Sequence, residues 1–209
     1  MSTGQTLARV KRAYTGEARR LASGSVAQLG RTRLTPDALT ASGVALCIAA
    51  SAVVWFEYVG WWMFLAGAAL FVIGSLLDIL DGALARSRGA GSPFGAFIDS
   101  TVDRVGEGFM LGAIALVLMR DGNEWGVALT FAAVVGSFLV SYTRARAEAL
   151  GLKGDVGIGS RAERVVVITA GLVLAPLGVL PWAIALLTAT AWITVLQRIL
   201  FVRTQLRRG

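Results

Sequence analysis

Long apolar stretches separated by short polar segments make up most of this chain from about residue 35 onward. Most are close to the roughly 20 residues that a helix needs to cross a bilayer. Hydrophobic residues form 56% of the sequence, and its mean hydropathy is +0.68. The apolar stretches cover residues 40–57, 61–80, 94–119, 125–143, 165–180 and 182–202. The pattern predicts an all-α integral membrane protein with six transmembrane helices, built as one membrane domain over residues 35–209.

The first 34 residues are too polar to span a bilayer, but their apolar residues recur at helical spacing. Leu7, Val10, Tyr14 and Leu21 fall on one side of such a helix, and most of the arginines fall elsewhere. This pattern is typical of an amphipathic juxtamembrane helix on the membrane surface. A disordered basic arm is the alternative. About thirty residues precede the first apolar stretch, so a cleaved signal peptide is not expected.

Basic residues are distributed unevenly between the two predicted sides of the membrane. The sequence has 20 Lys and Arg against 13 Asp and Glu, a formal net charge of +7. With six spans, only Arg120 falls on the side opposite the N-terminus. Because basic loops face the cytoplasm, both termini are predicted there, in a multi-pass protein of the cell membrane. The positive charge favours anionic membrane lipid and phosphorylated substrates as partners, whereas no basic patch interleaved with aromatic residues indicates nucleic acid.

Four aspartates lie at the cytoplasmic edges of the second and third predicted spans. Asp78 and Asp81 are three residues apart, Asp99 and Asp103 are four apart, and each spacing puts a pair on one helix face. The short link over residues 87–92 predicts an antiparallel hairpin in which the two pairs face each other. Oxygen ligands favour Mg²⁺ or Mn²⁺, and four carboxylates can hold two ions. The absence of His and the single Cys argue against zinc.

The segment around these acids resembles the signature of the CDP-alcohol phosphatidyltransferases. Its pattern is D-x2-D-G-x2-A-R-x8-G-x3-D-x3-D, from Asp78 to Asp103, with no gap or substitution. The resemblance implies that metal ions bind the diphosphate of a CDP-lipid while an acceptor hydroxyl attacks the lipid-side phosphorus and CMP leaves. Without His, the proton acceptor must be a carboxylate. The simplest division of labour among the acids gives metal binding to Asp78, Asp81 and Asp99, with Asp103 at the edge of the metal site, and the resemblance makes Asp103 the general base.

A second group of residues is assigned to the CDP-lipid by the same resemblance. Gly82, Ala85, Arg86 and Gly95 match positions at the cytidine and phosphates of the donor, Asp37 and Thr40 match positions at the nucleotide, and Ser92 lies in the same turn. By themselves the residues leave other readings open. Thr35 and Pro36 are typical of a helix start, which would also explain Asp37, and glycine is ordinary in packed membrane helices.

Five arginines at predicted cytoplasmic helix ends are candidates for binding a phosphate on the acceptor. They are Arg144, Arg146, Arg161, Arg164 and Arg198. Ordinary positive flanks of transmembrane helices are the alternative explanation. The pattern S-Y-x-x-A-R-A-E-x-x-G-L over residues 141–152, with a later E-R, resembles the actinobacterial phosphatidylinositol phosphate synthases, which join CDP-diacylglycerol to inositol phosphate. The chain departs from that group at Arg144, where lysine is expected, and at Ala162, where proline is expected.

Several functions remain open from the sequence. Glycerol 3-phosphate, serine or free inositol could replace inositol phosphate as the acceptor. A cation or proton transporter would also carry intramembrane carboxylates, and a non-catalytic membrane scaffold is a third possibility. The resemblance further implies a homodimer. Glu107 continues the helical stripe of Gly95, Asp99 and Asp103 by one more turn, so it could orient a neighbour or pair with Arg104.

Overall fold

A computed structural model describes residues 35–89 and 92–207. The amphipathic helix predicted over residues 1–34 lies outside the described residues. Six α-helices follow one another along the chain, and short 3-10 helices at Glu57–Val59 and Ala175–Leu177 lie in two of the connections. The α-helices are α1 (Pro36–Trp55), α2 (Trp62–Ser87), α3 (Pro93–Arg120), α4 (Glu124–Ala149), α5 (Arg161–Val173) and α6 (Leu180–Leu206).

The described part of the chain contains helices and no strands, which confirms the predicted all-α class. Four of these helices, α1, α2, α4 and α6, are long and apolar enough to cross a membrane. The other two differ from them. Helix α3 has 28 residues, or about 42 Å, but its first half is rich in charged and polar residues. Helix α5 has only 13 residues, or about 20 Å, which is shorter than the roughly 30 Å hydrocarbon core.

Polar side chains begin several of the helices where the sequence suggests a start. Thr35 accepts a hydrogen bond from the backbone N–H of Ala38, with Pro36 at the first helical position, as predicted. Ser92 begins α3 in the same way, followed by Pro93. Ser160 forms a reciprocal capping box with Glu163 at the start of α5. These caps satisfy N–H groups that the first helical turn leaves without partners.

Helix α1 packs closely against both α2 and α3, and glycines make this approach possible. A Cβ added at Gly43 would lie 2.9 Å from the carbonyl oxygen of Gly74, and one added at Gly74 would lie 2.7 Å from the carbonyl oxygen of Gly43. A Cβ at Gly106 of α3 would lie 3.0 Å from Cys47 Cβ. The α1–α2 crossing therefore depends on the missing side chains and lies one turn from Asp78.

The loop between α4 and α5 is attached to α6 by hydrogen bonds. Gly159 N–H donates to Thr194 Oγ1 at 2.8 Å, and Arg198 Nε donates to the Val156 carbonyl at 2.8 Å. The side-chain amide of Gln205 bonds both the carbonyl and the N–H of Lys153, at 2.8 and 3.1 Å. These contacts fix the path of residues 152–160 and therefore the point where α5 begins.

The interior of the bundle is apolar, and many large apolar side chains also point outward. Leu111, Ile114, Leu172 and Leu187 are fully buried. Exposed apolar side chains on α1, α2, α4 and α6 suit contact with lipid. At the end of α3 away from the aspartates, the Arg120 guanidinium pairs with Glu57 at 2.5 Å.

Candidate active site

Three of the four predicted metal ligands come together between α2 and α3. One carboxylate oxygen each from Asp78, Asp99 and Asp103 lies within 4.8 Å of the others. Asp78 is 8% exposed, so burial makes its charge costly unless a cation is near. The helical spacing explains part of the arrangement, because Asp99 and Asp103 lie one turn apart on the same face of α3.

Asp81 lies outside that group of three. Its Oδ2 accepts a hydrogen bond from the hydroxyl of Thr40 in α1, while its Oδ1 is buried and has no hydrogen-bond partner. The residue is only 3% exposed. A residue predicted to bind the donor, Thr40, is therefore hydrogen-bonded to a predicted metal ligand, Asp81.

Arg161, the first residue of α5, reaches into the acid cluster. Its Nη1 donates to Asp78 Oδ2, and its Nη2 lies 2.5 Å from Asp103 Oδ1. One guanidinium thus joins a residue of α2 to a residue of α3. A cavity of about 20 Å³, lined by these three residues together with Cys47 and Ser75 among others, lies below the cluster.

Two more arginines surround the acids. Arg104 Nη1 lies 3.7 Å from Asp103, and its Nη2 donates to Ser141 Oγ of α4 at 2.6 Å. Deeper in the bundle, Arg164 makes a two-point contact with Glu107, at 2.7 Å from Nε and 2.9 Å from Nη2. Glu107 therefore contacts a neighbouring residue, Arg164 of α5, which is one of its two predicted roles. It does not form the predicted pair with Arg104.

The residues predicted to bind the CDP-lipid lie at the start of α1, in the last turns of α2 and at the start of α3. The Arg86 guanidinium folds over Gly82, where an added Cβ would lie 3.3 Å from Nη1. Ala85 is half-buried in the same turn of α2. Ser92 accepts from the backbone N–H of Gly95 at 2.9 Å. Asp37 is exposed in the first turn of α1, on the helix that also carries Thr40.

The five arginines predicted for the acceptor differ in their surroundings. Arg146 is exposed, and Arg144 is exposed and pairs with Glu148 one turn on, at 2.9 Å. Arg161 is half-buried between the acids. Arg164 and Arg198 are 4% and 7% exposed, and both donate to backbone carbonyls of the α4–α5 loop. Arg198 also donates to the Val140 carbonyl, so much of its hydrogen-bonding capacity is used within the protein.

The donor set suits a hard divalent cation. Three clustered carboxylates and the unpartnered Asp81 Oδ1 are oxygen ligands of the kind that Mg²⁺ and Mn²⁺ prefer. The described residues offer no sulfur or nitrogen ligand beside them except Cys47, which is buried behind Asp78. The arrangement can hold a cation close to a carboxylate and an arginine, which is a combination suited to phosphoryl chemistry.

The sequence profile described as CDP-alcohol phosphatidyltransferase matches residues 33–196 of this chain. The match covers the four aspartates and every helix except the end of α6. The chain belongs to the CDP-alcohol phosphatidyltransferase family. Its members are enzymes, so the transporter and scaffold hypotheses are set aside in favour of a transferase.

Relatives within the family have related names. The chain is 38% identical to archaetidylinositol phosphate synthase of Methanothermobacter thermautotrophicus over 181 residues, which is 85% of this chain and 87% of the relative. It is also 38% identical to phosphatidylinositol phosphate synthase of Mycolicibacterium smegmatis over 182 residues, which is 83% of this chain and 80% of the relative.

The fold is similar to crystal structures of phosphatidylinositol phosphate synthase of Mycobacterium tuberculosis. One such structure has CDP-DAG bound. It aligns with a TM-score of 0.78 and 31% identity, covering 88% of this chain and 94% of that one. A second structure of the mycobacterial enzyme, in complex with manganese and citrate, aligns with a TM-score of 0.77 and 32% identity over 88% and 89% of the two chains.

Some residues of the site did not follow from the sequence signature of this transferase family. Arg104 and Ser141 lie on different helices, α3 and α4. Their contact depends on the relative rotation of these helices, which no local sequence pattern predicts. The Glu107–Arg164 pair had a partial signal, because Glu107 extends the Asp99 and Asp103 stripe and Arg164 follows Arg161 by one turn. The Gly43–Gly74 contact had a weaker one, since glycines are common throughout these helices.

Proposed function

We propose that this protein transfers the phosphatidyl group of CDP-diacylglycerol to a hydroxyl of inositol phosphate, giving phosphatidylinositol phosphate and CMP. The observation that carries the proposal is the cluster of Asp78, Asp99 and Asp103 at the family's signature positions. The relatives named for inositol phosphate products and the mycobacterial structure with CDP-DAG bound support the choice of acceptor and donor.

The proposed cofactor is Mg²⁺ or Mn²⁺, with two ions held by Asp78, Asp81, Asp99 and Asp103. Bound there, the ions would neutralise charge that builds up on the diphosphate of the donor. The clustered oxygens and the manganese in the mycobacterial structure support this role. Asp81 would offer its buried Oδ1, which has no hydrogen-bond partner, because Thr40 already holds the other oxygen.

Asp103 is the proposed general base. The acceptor hydroxyl attacks the phosphorus that carries the diacylglycerol, its proton passes to the Asp103 carboxylate, and the bond from that phosphorus to CMP breaks. The neighbouring Arg104, held by Ser141, places a positive charge 3.7 Å from Asp103. Direct transfer to the acceptor, without a covalent enzyme intermediate, is the proposed course of the reaction.

The donor is proposed to lie over the short link between α2 and α3. Gly82, Ala85 and Gly95 leave room for the cytidine and diphosphate near the backbone, and Arg86 can move from its position over Gly82 to a phosphate. Asp37, Thr40 and Ser92 would line the nucleotide side. The diacylglycerol chains would remain in the membrane beside the helices.

The acceptor phosphate is proposed to bind among the arginines at the start of α5 and the ends of α4 and α6. Arg198 experiences the positive charges of Arg144 and Arg164 and the negative charges of Asp155 and Glu148, and an anion would add to the charges that balance the arginines. Arg146 and Arg161 complete the proposed set. The buried Arg164 and Arg198 would contribute mainly by fixing the loop and by their charge.

The proposed topology has six membrane-spanning helices with both termini and the acid cluster in the cytoplasm of a cell-membrane protein. Four of the six spans are α1, α2, α4 and α6, which meet the length and composition criteria. The other two are α3 and the short α5, extended by its 3-10 turn. Residues 1–34 would form the juxtamembrane segment before the membrane domain of 35–209. A homodimer is proposed as the assembly.

The decisive experiment measures CMP release by the purified full-length protein in lipid nanodiscs. CDP-diacylglycerol is supplied with inositol 1-phosphate, inositol, glycerol 3-phosphate or serine, with and without Mg²⁺ or Mn²⁺. The proposal expects release that requires both a divalent cation and inositol phosphate. Equal release with serine or free inositol would overturn the assignment of the acceptor, and no release with any acceptor would overturn the reaction.

One relative at the same 38% identity makes an archaeal lipid, so CDP-archaeol is a second candidate donor. The same nanodisc assay with CDP-archaeol compares the two lipids directly. Faster CMP release from CDP-archaeol than from CDP-diacylglycerol would change the donor while leaving the inositol phosphate acceptor in place.

A further inference from the structure

The Arg161 guanidinium contacts two carboxylates that have separate roles in the proposed reaction. Its Nη1 bonds Asp78, a proposed metal ligand, and its Nη2 pairs with Asp103, the proposed base, at 2.5 Å. While both contacts exist, Asp103 Oδ1 is buried against the guanidinium and is not exposed to a substrate hydroxyl. The same guanidinium also occupies oxygens that a divalent cation would use.

The physical reason for this contact is the charge of the cluster. Asp78, Asp99 and Asp103 crowd three carboxylates into one small volume, and Asp78 is buried. Such a cluster requires positive charge nearby. A divalent cation and the Arg161 guanidinium satisfy the same requirement, so each is expected to weaken the binding of the other.

Arg161 differs from its neighbour Arg164 in its freedom to leave. Arg164 is 4% exposed and is held by Glu107 and by the Gly159 carbonyl, at 2.7 to 3.0 Å. The Arg161 side chain is 33% exposed and starts at the first residue of α5, at the cytoplasmic end of the helix. Rotation of its side chain alone would carry the guanidinium out of the cluster while the backbone stays fixed by the Ser160 cap.

We propose that Arg161 is an exchangeable counter-ion that neutralises Asp78 and Asp103 in the enzyme without substrates and moves to a substrate phosphate when the divalent cation binds. The inference rests on the proposed function and extends it to the order of events at the site. A phosphate that takes the guanidinium removes the competitor of the metal and frees Asp103 at the same time. Cation binding and phosphate binding are therefore coupled and strengthen each other.

This coupling would also make Arg161 a specificity-determining residue. An acceptor with a phosphate can draw the guanidinium away from the acids, whereas free inositol or serine offers no anionic phosphate for it. The diphosphate of the donor carries the same chemistry, so both substrates must be compared. A substrate without a phosphate would leave part of the enzyme with Arg161 still paired to Asp103.

The first test measures Mn²⁺ binding, counting free Mn²⁺ by electron paramagnetic resonance, with the full-length protein in nanodiscs and no substrate. Wild type is compared with Arg161→Gln, which keeps a polar side chain but removes the charge. Arg161→Gln should bind Mn²⁺ about 10-fold more tightly, within the range typical of coupled sites. Unchanged or weaker Mn²⁺ binding in a folded Arg161→Gln protein would overturn the proposal.

The second test adds ligands to the same measurement. Inositol 1-phosphate should tighten Mn²⁺ binding to the wild type, and free inositol should not. In Arg161→Gln the tightening by inositol 1-phosphate should disappear. Soluble CDP stands in for the donor and would also contact the metal directly. Only the part of its tightening of Mn²⁺ binding that Arg161→Gln removes is therefore assigned to Arg161. Tightening that is equal in wild type and variant for both phosphates would contradict the exchange.

Arg104→Gln is the matched control for the loss of one charge beside the cluster. Arg104 lies 3.7 Å from Asp103 and makes no contact with Asp78, so its removal should leave the inositol 1-phosphate effect on Mn²⁺ binding intact. If Arg161→Gln does not yield folded protein, Arg161→Lys keeps the charge but cannot span both carboxylates through one group, and an intermediate Mn²⁺ affinity is expected. An Arg161→Lys protein with wild-type affinity and linkage would overturn the proposal.

The wild-type assay for CMP release separates the two levels of inference. If CMP release occurs as proposed but Arg161→Gln leaves Mn²⁺ binding unchanged, only the exchange is wrong. If Mn²⁺ competes with Arg161 but CDP-diacylglycerol and inositol phosphate give no CMP, the counter-ion role stands and the proposed function fails.

Discussion

Glu107 and Arg164 form a two-point ion pair one helical turn deeper in the bundle than the contact between Asp103 and Arg161. The two acids lie on the same face of α3, and the two arginines lie three residues apart on α5. The deeper pair is buried and has no described contact with the acid cluster. It therefore fixes the distance between α3 and α5, while the outer pair remains free to change partners.

Breaking the deeper pair should destabilise the protein. Glu107→Gln or Arg164→Met alone leaves one buried charge without its partner, which costs about 3–5 kcal/mol. Thermal unfolding in detergent or nanodiscs measures the loss. The double variant Glu107→Gln/Arg164→Met is the control and should recover part of the stability, because it leaves no unpaired charge. A double variant less stable than the sum of the two single changes would contradict this account.

Asp103 and Asp78 should lose activity in different ways. Asp103→Asn removes the proposed base and should lower kcat by about 10²–10⁴. Asp78→Asn removes a proposed metal ligand, so its main effect should be a higher Mg²⁺ or Mn²⁺ concentration for half-maximal CMP release. Titration of each variant with the cation, at saturating substrates, separates the two. An Asp103→Asn protein with unchanged kcat would remove Asp103 from its role.

The α1–α2 crossing should tolerate no added side chain at its closest point. Gly74→Ala would put a Cβ 2.7 Å from the Gly43 carbonyl oxygen, and overpacking of this kind costs about 1–3 kcal/mol. Because the crossing adjoins Asp78, cation activation should weaken as well. Gly112→Ala on α3 is the matched control, since its Cβ meets nothing within 4 Å. Equal thermal stability of the two variants would show that the helices do not depend on this contact.

Two arginines of the proposed acceptor site should differ in their effect on stability. Arg144 is exposed and pairs with Glu148 one turn away, so Arg144→Ala should change the free energy of unfolding by less than about 1 kcal/mol. Arg198 is buried and donates to the carbonyls of Val156 and Val140. Arg198→Ala leaves the Val156 carbonyl without this donor, whereas the Val140 carbonyl keeps its bond from Thr143 Oγ1, so the change should cost about 1–3 kcal/mol.

Both arginine variants should also raise the KM for inositol phosphate, with little change in the KM for CDP-diacylglycerol. Steady-state kinetics with each substrate varied in turn provides the measurement. Arg120→Ala is the control for loss of a charge elsewhere, since Arg120 lies at the opposite end of α3. If neither Arg144→Ala nor Arg198→Ala alters the KM for inositol phosphate, the phosphate does not bind among these residues.

Much of the helix arrangement could be predicted because membrane helices are recognisable from the local sequence. The run of apolar residues, the start of α1 at Thr35 and Pro36, and the break before Pro181 all depend on neighbours in sequence. The lengths of individual spans were less accessible. Helix α5 ends at Val173, where a 3-10 turn containing Pro176 interrupts the apolar stretch. The turn is itself apolar, so composition alone does not reveal it.

The site could be predicted in its acids but not in its cations. Asp99 and Asp103 lie one turn apart on α3, and the short link to α2 brings Asp78 beside them, so two neighbouring helices suffice to form the cluster. The arginines come from other helices, and their partners depend on rotations that the sequence does not record. Arg161, Arg164 and Arg198 share a positive charge and a predicted cytoplasmic location, yet one pairs with the acid cluster, one with Glu107 and one with backbone carbonyls.

The side-chain amide of Gln205 holds both backbone groups of Lys153 from the last turn of α6. A shortened protein that lacks this turn would lose both bonds and loosen the start of the segment that leads to Ser160 and Arg161, which Thr194 and Arg198 also hold. The far end of the final helix is thus part of what aligns the reactive centre, and C-terminal deletions are expected to impair turnover even though they remove no residue that meets a substrate.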